Sequence, residues 1–205
     1  MKKIYLSIVL LIAGMSLLAQ EGGGIVSLNY SVGVTTGSSN EFVSPVSGRG
    51  FNFDLRFNVT DNISVGGLVG WNYFHERLER QTFEVTMDDG QKVDVNAVQT
   101  RYLNMLPMMF QGQYRFVSGS TNITPYVGLA IGGYRVDYEK FWGDILDEKE
   151  QWEFGLSPHA GVLIPFASEL SGLNIELKYN WANFSYNEVK AISFFDANAG
   201  IYFMF

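Results

Sequence analysis

Along most of the chain, apolar and polar residues alternate with a period of two, the mark of strands whose two faces meet different surroundings. In the clearest run, Phe51, Phe53, Leu55, Phe57 and Val59 share one face, and Asn52, Asp54, Arg56 and Asn58 share the other. A second run sets Leu173, Ile175, Leu177, Tyr179 and Trp181 against Asn174, Glu176, Lys178 and Asn180. A longer one over residues 152–166 sets Trp152, Phe154, Leu156, Ala160, Val162, Ile164 and Phe166 against Glu153, Gly155, Ser157, His159 and Gly161. Weaker copies cover residues 28–34, 63–73, 105–116, 123–134 and 196–205. The pattern predicts about eight strands, each near the roughly 9–11 residues that cross a bilayer at a tilt.

The connections alternate as well. Residues 60–62, 118–122 and 167–172 are short and rich in Asn, Asp, Ser and Gly, as tight turns are. Residues 37–48, 75–97, 139–150 and 183–190 are longer and more polar. Within the second long connection, Thr82–Met87 alternates, Asp88-Asp89-Gly90 turns and Lys92–Val95 returns, which predicts a hairpin standing above the barrel. Short turns at one end and long loops at the other are the arrangement of bacterial membrane barrels. A soluble sandwich has no reason to alternate its loops in this way. The expected fold is therefore all-β: a closed, antiparallel, up-and-down transmembrane β-barrel with both ends at the periplasmic side.

Alternation alone does not say which face is buried. In a soluble barrel the apolar face points inward; in a membrane barrel it points to lipid. The apolar row is too bulky for the interior of a small barrel. Its aromatics also gather at the strand ends, with Trp71, Tyr73, Trp152, Phe154, Tyr179 and Trp181 towards the outer rim. Phe57, Tyr114, Phe116, Phe166, Phe203 and Phe205 gather towards the periplasmic rim. Two such belts match the interfacial girdles of membrane barrels. The polar row, small residues between occasional charges, suits a narrow lumen filled by side chains.

Composition agrees and narrows the function. Only 17% of the 205 residues are charged while 15% are aromatic, against a quarter charged in an average protein. Beyond the leader, no run approaches the roughly 20 apolar residues of a spanning helix. Met1-Lys2-Lys3 followed by apolar Ile4–Ala13 and small residues up to Ala19 has the layout of a secretory signal peptide. The expected organisation is a signal peptide over residues 1–19 and an outer-membrane barrel domain over residues 20–205. The absence of cysteine excludes disulfides, thiolate metal sites and a Cys nucleophile. A net charge of -7 argues against nucleic acid as a partner.

Three stretches carry a resemblance. Ala197–Phe205 alternates and stops on Phe205, like the C-terminal strand signal through which barrel-assembly machinery recognises its clients. Tyr102–Phe116 and Ile123–Gly133 resemble consecutive strands of the outer-membrane β-barrel domain family that includes PorT-like and OmpA-like small barrels. The resemblance spans essentially the whole exported chain. It implies an eight-stranded outer-membrane barrel of a Gram-negative bacterium, with outer-membrane lipid and the assembly machinery as partners. It implies no catalytic set.

The remaining chemistry lies on the polar row and in the long loops. Asp54, Arg56, Arg115, Glu153, Glu176, Lys178 and Asp196 are expected to face the lumen, where buried charges must be paired. The expected pairs are Arg56 with Glu176 or Asp54, and Lys178 with Asp196, forming a structural plug; a gated ion path is the alternative. His159 and Ser157 share that face, the residue types of a lipid hydrolase, although mid-strand positions suit a lipid ester poorly. Asp137, Glu139, Asp144, Asp147, Glu148, Glu150 and Glu153 make the third long loop acidic: a solvated loop, or oxygen ligands for a divalent cation. No cofactor, resident metal or catalytic residue is expected. The function read from the sequence is a non-enzymatic outer-membrane protein with a structural or surface-interaction role through its outer loops. A narrow pore or carrier is the first alternative and a lipid-modifying enzyme the second.

Overall fold

A computed structural model describes residues 23–86, 90–117, 123–167 and 170–205. The leader, the tip of the expected hairpin and the expected turn at 118–122 lie outside the described residues. Eight strands run β1 (Gly24–Thr35), β2 (Val46–Asn58), β3 (Ile63–Thr86), β4 (Lys92–Arg115), β5 (Thr124–Trp142), β6 (Ile145–Pro165), β7 (Ser171–Ala182) and β8 (Ile192–Met204). A single five-residue helix, α1 (Ser38–Phe42), interrupts the first long connection. Each strand pairs antiparallel with the next, and β8 pairs with β1 from Ile25↔Met204 to Thr35↔Phe194, closing the barrel in chain order. Closure removes the unpaired edges that an open sheet would expose.

The strands are unequal, and that inequality shapes the molecule. The β2–β3 ladder stops at Gly50↔Asn72 and the β6–β7 ladder at Gly155↔Ala182. Between them, β3 and β4 pair on to Thr86↔Lys92, and β5 and β6 pair on to Trp142↔Ile145. Strands β3 to β6 therefore continue above the barrel as a curved four-stranded sheet. Above Gln99↔Trp142 only the β3–β4 hairpin remains.

Two expectations change here. The acidic stretch 139–150 is not a loop but the upper parts of β5 and β6, joined through Gly143 and Asp144. Gly143 takes a φ of 63°, the left-handed geometry that a two-residue hairpin requires at its first central position. Likewise residues 75–81 are strand, so the expected hairpin grows directly out of the barrel wall. The period of two continues through both stretches with charges in its outward row, and the density of charge disguised it.

The faces fall as the alternation predicts. Outward side chains such as Leu28, Phe53, Phe110, Val127, Leu177 and Phe203 are exposed, with Phe110 at 64%. Their inward neighbours Asn29, Asp54, Gln111, Gly128, Lys178 and Tyr202 are turned into the lumen. A contiguous apolar exterior on a closed barrel of this extent is a surface made for lipid.

Candidate functional site

The lumen has three layers. At the periplasmic end Ile25, Tyr126, Leu163 and Tyr202 pack together as an apolar floor, with Met204 against them. Above it lies a belt of polar side chains. Above that, Phe74, Leu103, Met105, Tyr134, Val136 and Phe194 form an apolar layer that continues into the outer loops.

Six of the seven predicted lumen charges, Asp54, Arg56, Arg115, Glu176, Lys178 and Asp196, are buried, three acids against three bases, with Arg56 and Arg115 beside the floor residues Ile25 and Tyr126 that they face in register. Their pairing differs from expectation. Lys178 Nζ meets Glu176 Oε1 at 3.2 Å, two residues away on the same face of β7. Glu176 also accepts from Tyr126 Oη at 3.1 Å and from Asn198 Nδ2 at 3.0 Å. Asp196 lies opposite Lys178 in register but accepts from the amides of Asn72 (3.1 Å) and Asn180 (3.0 Å). Asp54 accepts from Asn29 at 3.0 Å and Gln111 at 2.9 Å. Arg56 donates to Gln113 Oε1 and, at 2.7 Å, to Ser27 Oγ, with its guanidinium 5.8 Å from the Tyr126 ring centroid. Arg115 donates to Asn58 Oδ1 at 2.9 Å and to the Asp61 carbonyl at 3.1 Å. The arginines stand nearer the periplasmic end than the carboxylates, so amides and hydroxyls reach them first. Glu153 points inward but is only half-buried and accepts from Gln151, outside this belt.

Asparagines bind the belt together. Asn29 donates to Asn52 at 2.9 Å, Asn174 donates to Asn29 at 2.9 Å, and Asn52 donates to Ser31 Oγ and Asn198 Oδ1. Each of these amides has a donor and an acceptor, so they link into a chain where charges alone would only pair. The sequence reading placed several of them on the polar row without giving them a role; their recurrence at inward positions was the available signal.

His159 and Ser157 are both buried in the lumen. Their side chains do not pair with each other. His159 Nδ1 lies 3.1 Å from the Ser157 carbonyl, while Ser157 Oγ bonds Tyr134 Oη at 2.6 Å and Asn180 Oδ1 at 2.8 Å. A nucleophile needs a base on its hydroxyl, and here the hydroxyl is held by a phenol and an amide.

The outer mouth is covered by a cap that alternation could not reveal. Phe42 and Val43, at the end of α1, and Phe184 and Val189 of the last long connection are fully buried against the upper lumen layer. Phe42 stacks on Tyr138 with centroids 4.3 Å apart, and Arg101 holds the carbonyls of Glu41 (3.2 Å) and Phe42 (3.0 Å). Ser38 and Ser39 tie α1 to the Ala191 carbonyl. On the other side Glu188 accepts from Lys140 at 2.7 Å and Tyr138 Oη at 3.2 Å, and Tyr186 donates to Asp147 at 2.6 Å. Burial alone would raise the Glu188 carboxyl, but the Lys140 ammonium and the Tyr138 hydroxyl together hold it below the usual carboxylate range. Tyr138 is pushed up, by burial first and then by the charge of Glu188.

The predicted girdle residues all lie on the outward row. Trp152, Tyr114, Phe116, Phe154, Phe166, Phe203 and Phe205 are exposed; Phe57, Trp71, Tyr73, Tyr179 and Trp181 are half-buried among their neighbours. Above the outer belt, the outward face of the four-stranded sheet places Asp137 opposite Glu150 and Glu139 opposite Glu148. Arg135 answers part of this charge, at 2.7 Å from Glu150 and 3.4 Å from Asp137. Glu139 has no such partner among the described residues: burial first, then Asp137 and Glu148, raise its carboxyl. No group of three metal-ligating side chains converges among the described residues.

The chain matches the outer membrane protein beta-barrel domain family over residues 6–203. It belongs to that family. Membership places it in the outer membrane and agrees with the resemblance carried by its strands. Among solved structures, Neisserial surface protein A is 15% identical with a TM-score of 0.55, the match covering 90% of this chain and 100% of that one. The N-terminal beta-barrel domain of OprF from Pseudomonas aeruginosa is 12% identical with a TM-score of 0.50, covering 90% and 100%. The outer membrane protein OprG of the same organism is 14% identical with a TM-score of 0.50, covering 90% and 96%. At such identities the likeness concerns the fold alone. No curated protein sequence matches the chain.

Proposed function

We propose that this outer-membrane barrel is a sealed, non-enzymatic scaffold that works through its outer surface, presenting the sheet formed by β3 to β6 and the cap beside it to partners outside the cell. The observation that carries this reading is the filled lumen: apolar floor, hydrogen-bonded belt and apolar cap follow one another along the axis. An ion crossing it must break the belt and displace buried aromatics, each step leaving polar groups without partners at roughly 1–3 kcal/mol apiece. The buried charges act as a structural plug, the outward aromatics anchor the barrel at the two interfaces, and the first 19 residues act as an export signal that is removed.

The test is conductance. The purified barrel, its folding verified by faster gel mobility before boiling than after, is inserted into planar bilayers. The scaffold reading predicts no stepwise current over the usual range of voltage. Reproducible ohmic steps would overturn it in favour of a narrow pore.

A further inference from the structure

The periplasmic end of the lumen has two unlike halves. The floor of Ile25, Tyr126, Leu163 and Tyr202 is apolar and fills one of them. Beside it, on the adjacent strands β2, β3 and β4, stand Arg56, Ser64, Gln113 and Arg115, all between 0% and 7% exposed. The ladders bring these four together. Ser64 lies opposite Gln113, Arg115 follows Gln113 on the same face of β4, and Arg56 donates to Gln113 Oε1. Gly66, opposite Arg56 on the inward row of β3, adds no side chain between them.

Each of the four keeps one buried atom without a partner among the described residues: Arg56 Nε, Ser64 Oγ, Gln113 Nε2 and Arg115 Nε. The three nitrogens only donate, and the serine hydroxyl can donate as well. The acceptors around them are already engaged. Gln113 Oε1 and Ser27 Oγ take Arg56, while Asn58 Oδ1 and the Asp61 carbonyl take Arg115. His159, across Gly128 from Gln113, holds its Nδ1 proton on the Ser157 carbonyl. That leaves a lone pair on Nε2, which meets only one of the two amide protons of Gln113. Among the described residues no carboxylate lies within 4.0 Å of either guanidinium. Asp54, two residues from Arg56 on the same face, is held by Asn29 and Gln111. Buried donors left unmet are costly, and buried cations without a counter-charge more so.

We propose that this half of the lumen is a binding site for one halide ion, chloride, held by Arg56 Nε, Ser64 Oγ, Gln113 Nε2 and Arg115 Nε. A halide accepts from several donors at once and asks for no acceptor in return. A water molecule brings no charge to set against two guanidiniums, and its own protons find few acceptors here. The arrangement also favours a spherical ion over a tetrahedral oxyanion. On both arginines Nη2, the partner of Nε in a fork on an oxyanion, already donates elsewhere. The ion enters from the periplasmic end, where Arg115 reaches the β2–β3 turn, and stops below the belt of amides. The site goes beyond the scaffold reading and does not depend on it: a barrel that conducts would fail that reading and leave this one standing.

The test is the chloride NMR line width of sodium chloride solutions containing the full chain folded in a non-ionic detergent. Sodium iodide and sodium sulfate are titrated against it in parallel at equal ionic strength. The site predicts excess broadening that saturates with chloride and is reversed by iodide at lower concentration than by sulfate. Gln113→Glu sets a carboxylate beside both guanidiniums as a built-in counter-charge; it keeps the gel-mobility shift and loses the excess broadening. Should that variant not fold, Ser64→Ala serves in its place. It removes a hydroxyl without a partner among the described residues and weakens chloride about fivefold, the loss of one hydrogen bond. An absence of excess broadening would mean that water alone meets these donors, and would overturn the proposal. Unchanged broadening in the folded variant, or sulfate displacing chloride before iodide does, would overturn it equally.

Discussion

At the scale of single residues, the lumen shows how a narrow barrel keeps charge away from water. Asp54 and Asp196 are held by side-chain amides, and the one close ion pair of the lumen among the described residues, Lys178 with Glu176, is itself embedded in hydrogen bonds from Tyr126 and Asn198. Removing one partner of such a pair strands the other. Glu176→Gln is expected to lower stability by roughly 3–5 kcal/mol, whereas the double change Glu176→Gln with Lys178→Met recovers most of the loss. Urea midpoints of the refolded barrel in detergent check both; equal midpoints for the single and double variants would contradict the pairing. Asn198→Leu is expected to cost about 1–3 kcal/mol, because Ser31, Asn52 and Glu176 all bond Asn198. Alternation made the inward direction of these residues legible. Their partners were not, because pairing across a lumen depends on strand tilt and side-chain reach: Arg56 finds Gln113 and Ser27 before any carboxylate. Adjacent Phe194 and Phe195 show the same limit. One is fully buried and the other exposed, and their composition gave no sign of it.

At the scale of elements, the strand extensions separate what builds the barrel from what stands on it. Above Gln99↔Trp142 the backbone of the β3–β4 hairpin pairs only with itself, and its contact with the rest of the sheet is the small cluster of Phe83 and Val95 against Trp142 and Ile145. Replacing residues 81–96 with a two-residue Asn-Gly turn should therefore leave the barrel closed, with its gel-mobility shift intact and a thermal midpoint close to that of the full chain. The hairpin was legible because its alternation is regular and its turn contains Gly90. The continuation of β5 and β6 was missed because the outward row there is acidic. The cap was missed because a short helix and a loop, docked by Phe42 and Phe184, leave no periodic trace. Its hold is pH-dependent with a definite sign. The Glu188 carboxyl is held down in the folded state, so its contribution is present at neutral pH and lost as the pH falls through and below the usual carboxylate range. With Glu188 half-exposed, the contribution amounts to about 1 kcal/mol or less. Glu188→Gln should raise amide exchange across residues 183–191 at neutral pH, and the difference from the native chain should shrink towards zero in acid.

At the scale of the whole molecule, the architecture was legible in outline. Eight alternating runs, turns short at one end and long at the other, and aromatics too bulky for the inside together specify a closed barrel in lipid. The layering of its interior was not, since an apolar floor and cap are built from residues that break the inward-polar rule, among them Tyr126, Tyr134, Leu103 and Val136. Those layers decide whether the barrel is a passage or a pillar. The chain has no cysteine, so a single introduced thiol reports its surroundings without background. Ser157→Cys places one in the middle belt, at a position fully buried in the lumen, and Phe110→Cys places another on the lipid-facing wall. The decisive measurement is labelling of both variants in vesicles with a small, water-soluble, charged thiol reagent and, separately, with a lipid-soluble one. A sealed barrel leaves the Ser157→Cys thiol unlabelled by the charged reagent until the protein is unfolded, while the lipid-soluble reagent finds Phe110→Cys. Rapid labelling of Ser157→Cys by the charged reagent in the folded barrel would reveal a water path through the lumen and contradict the account.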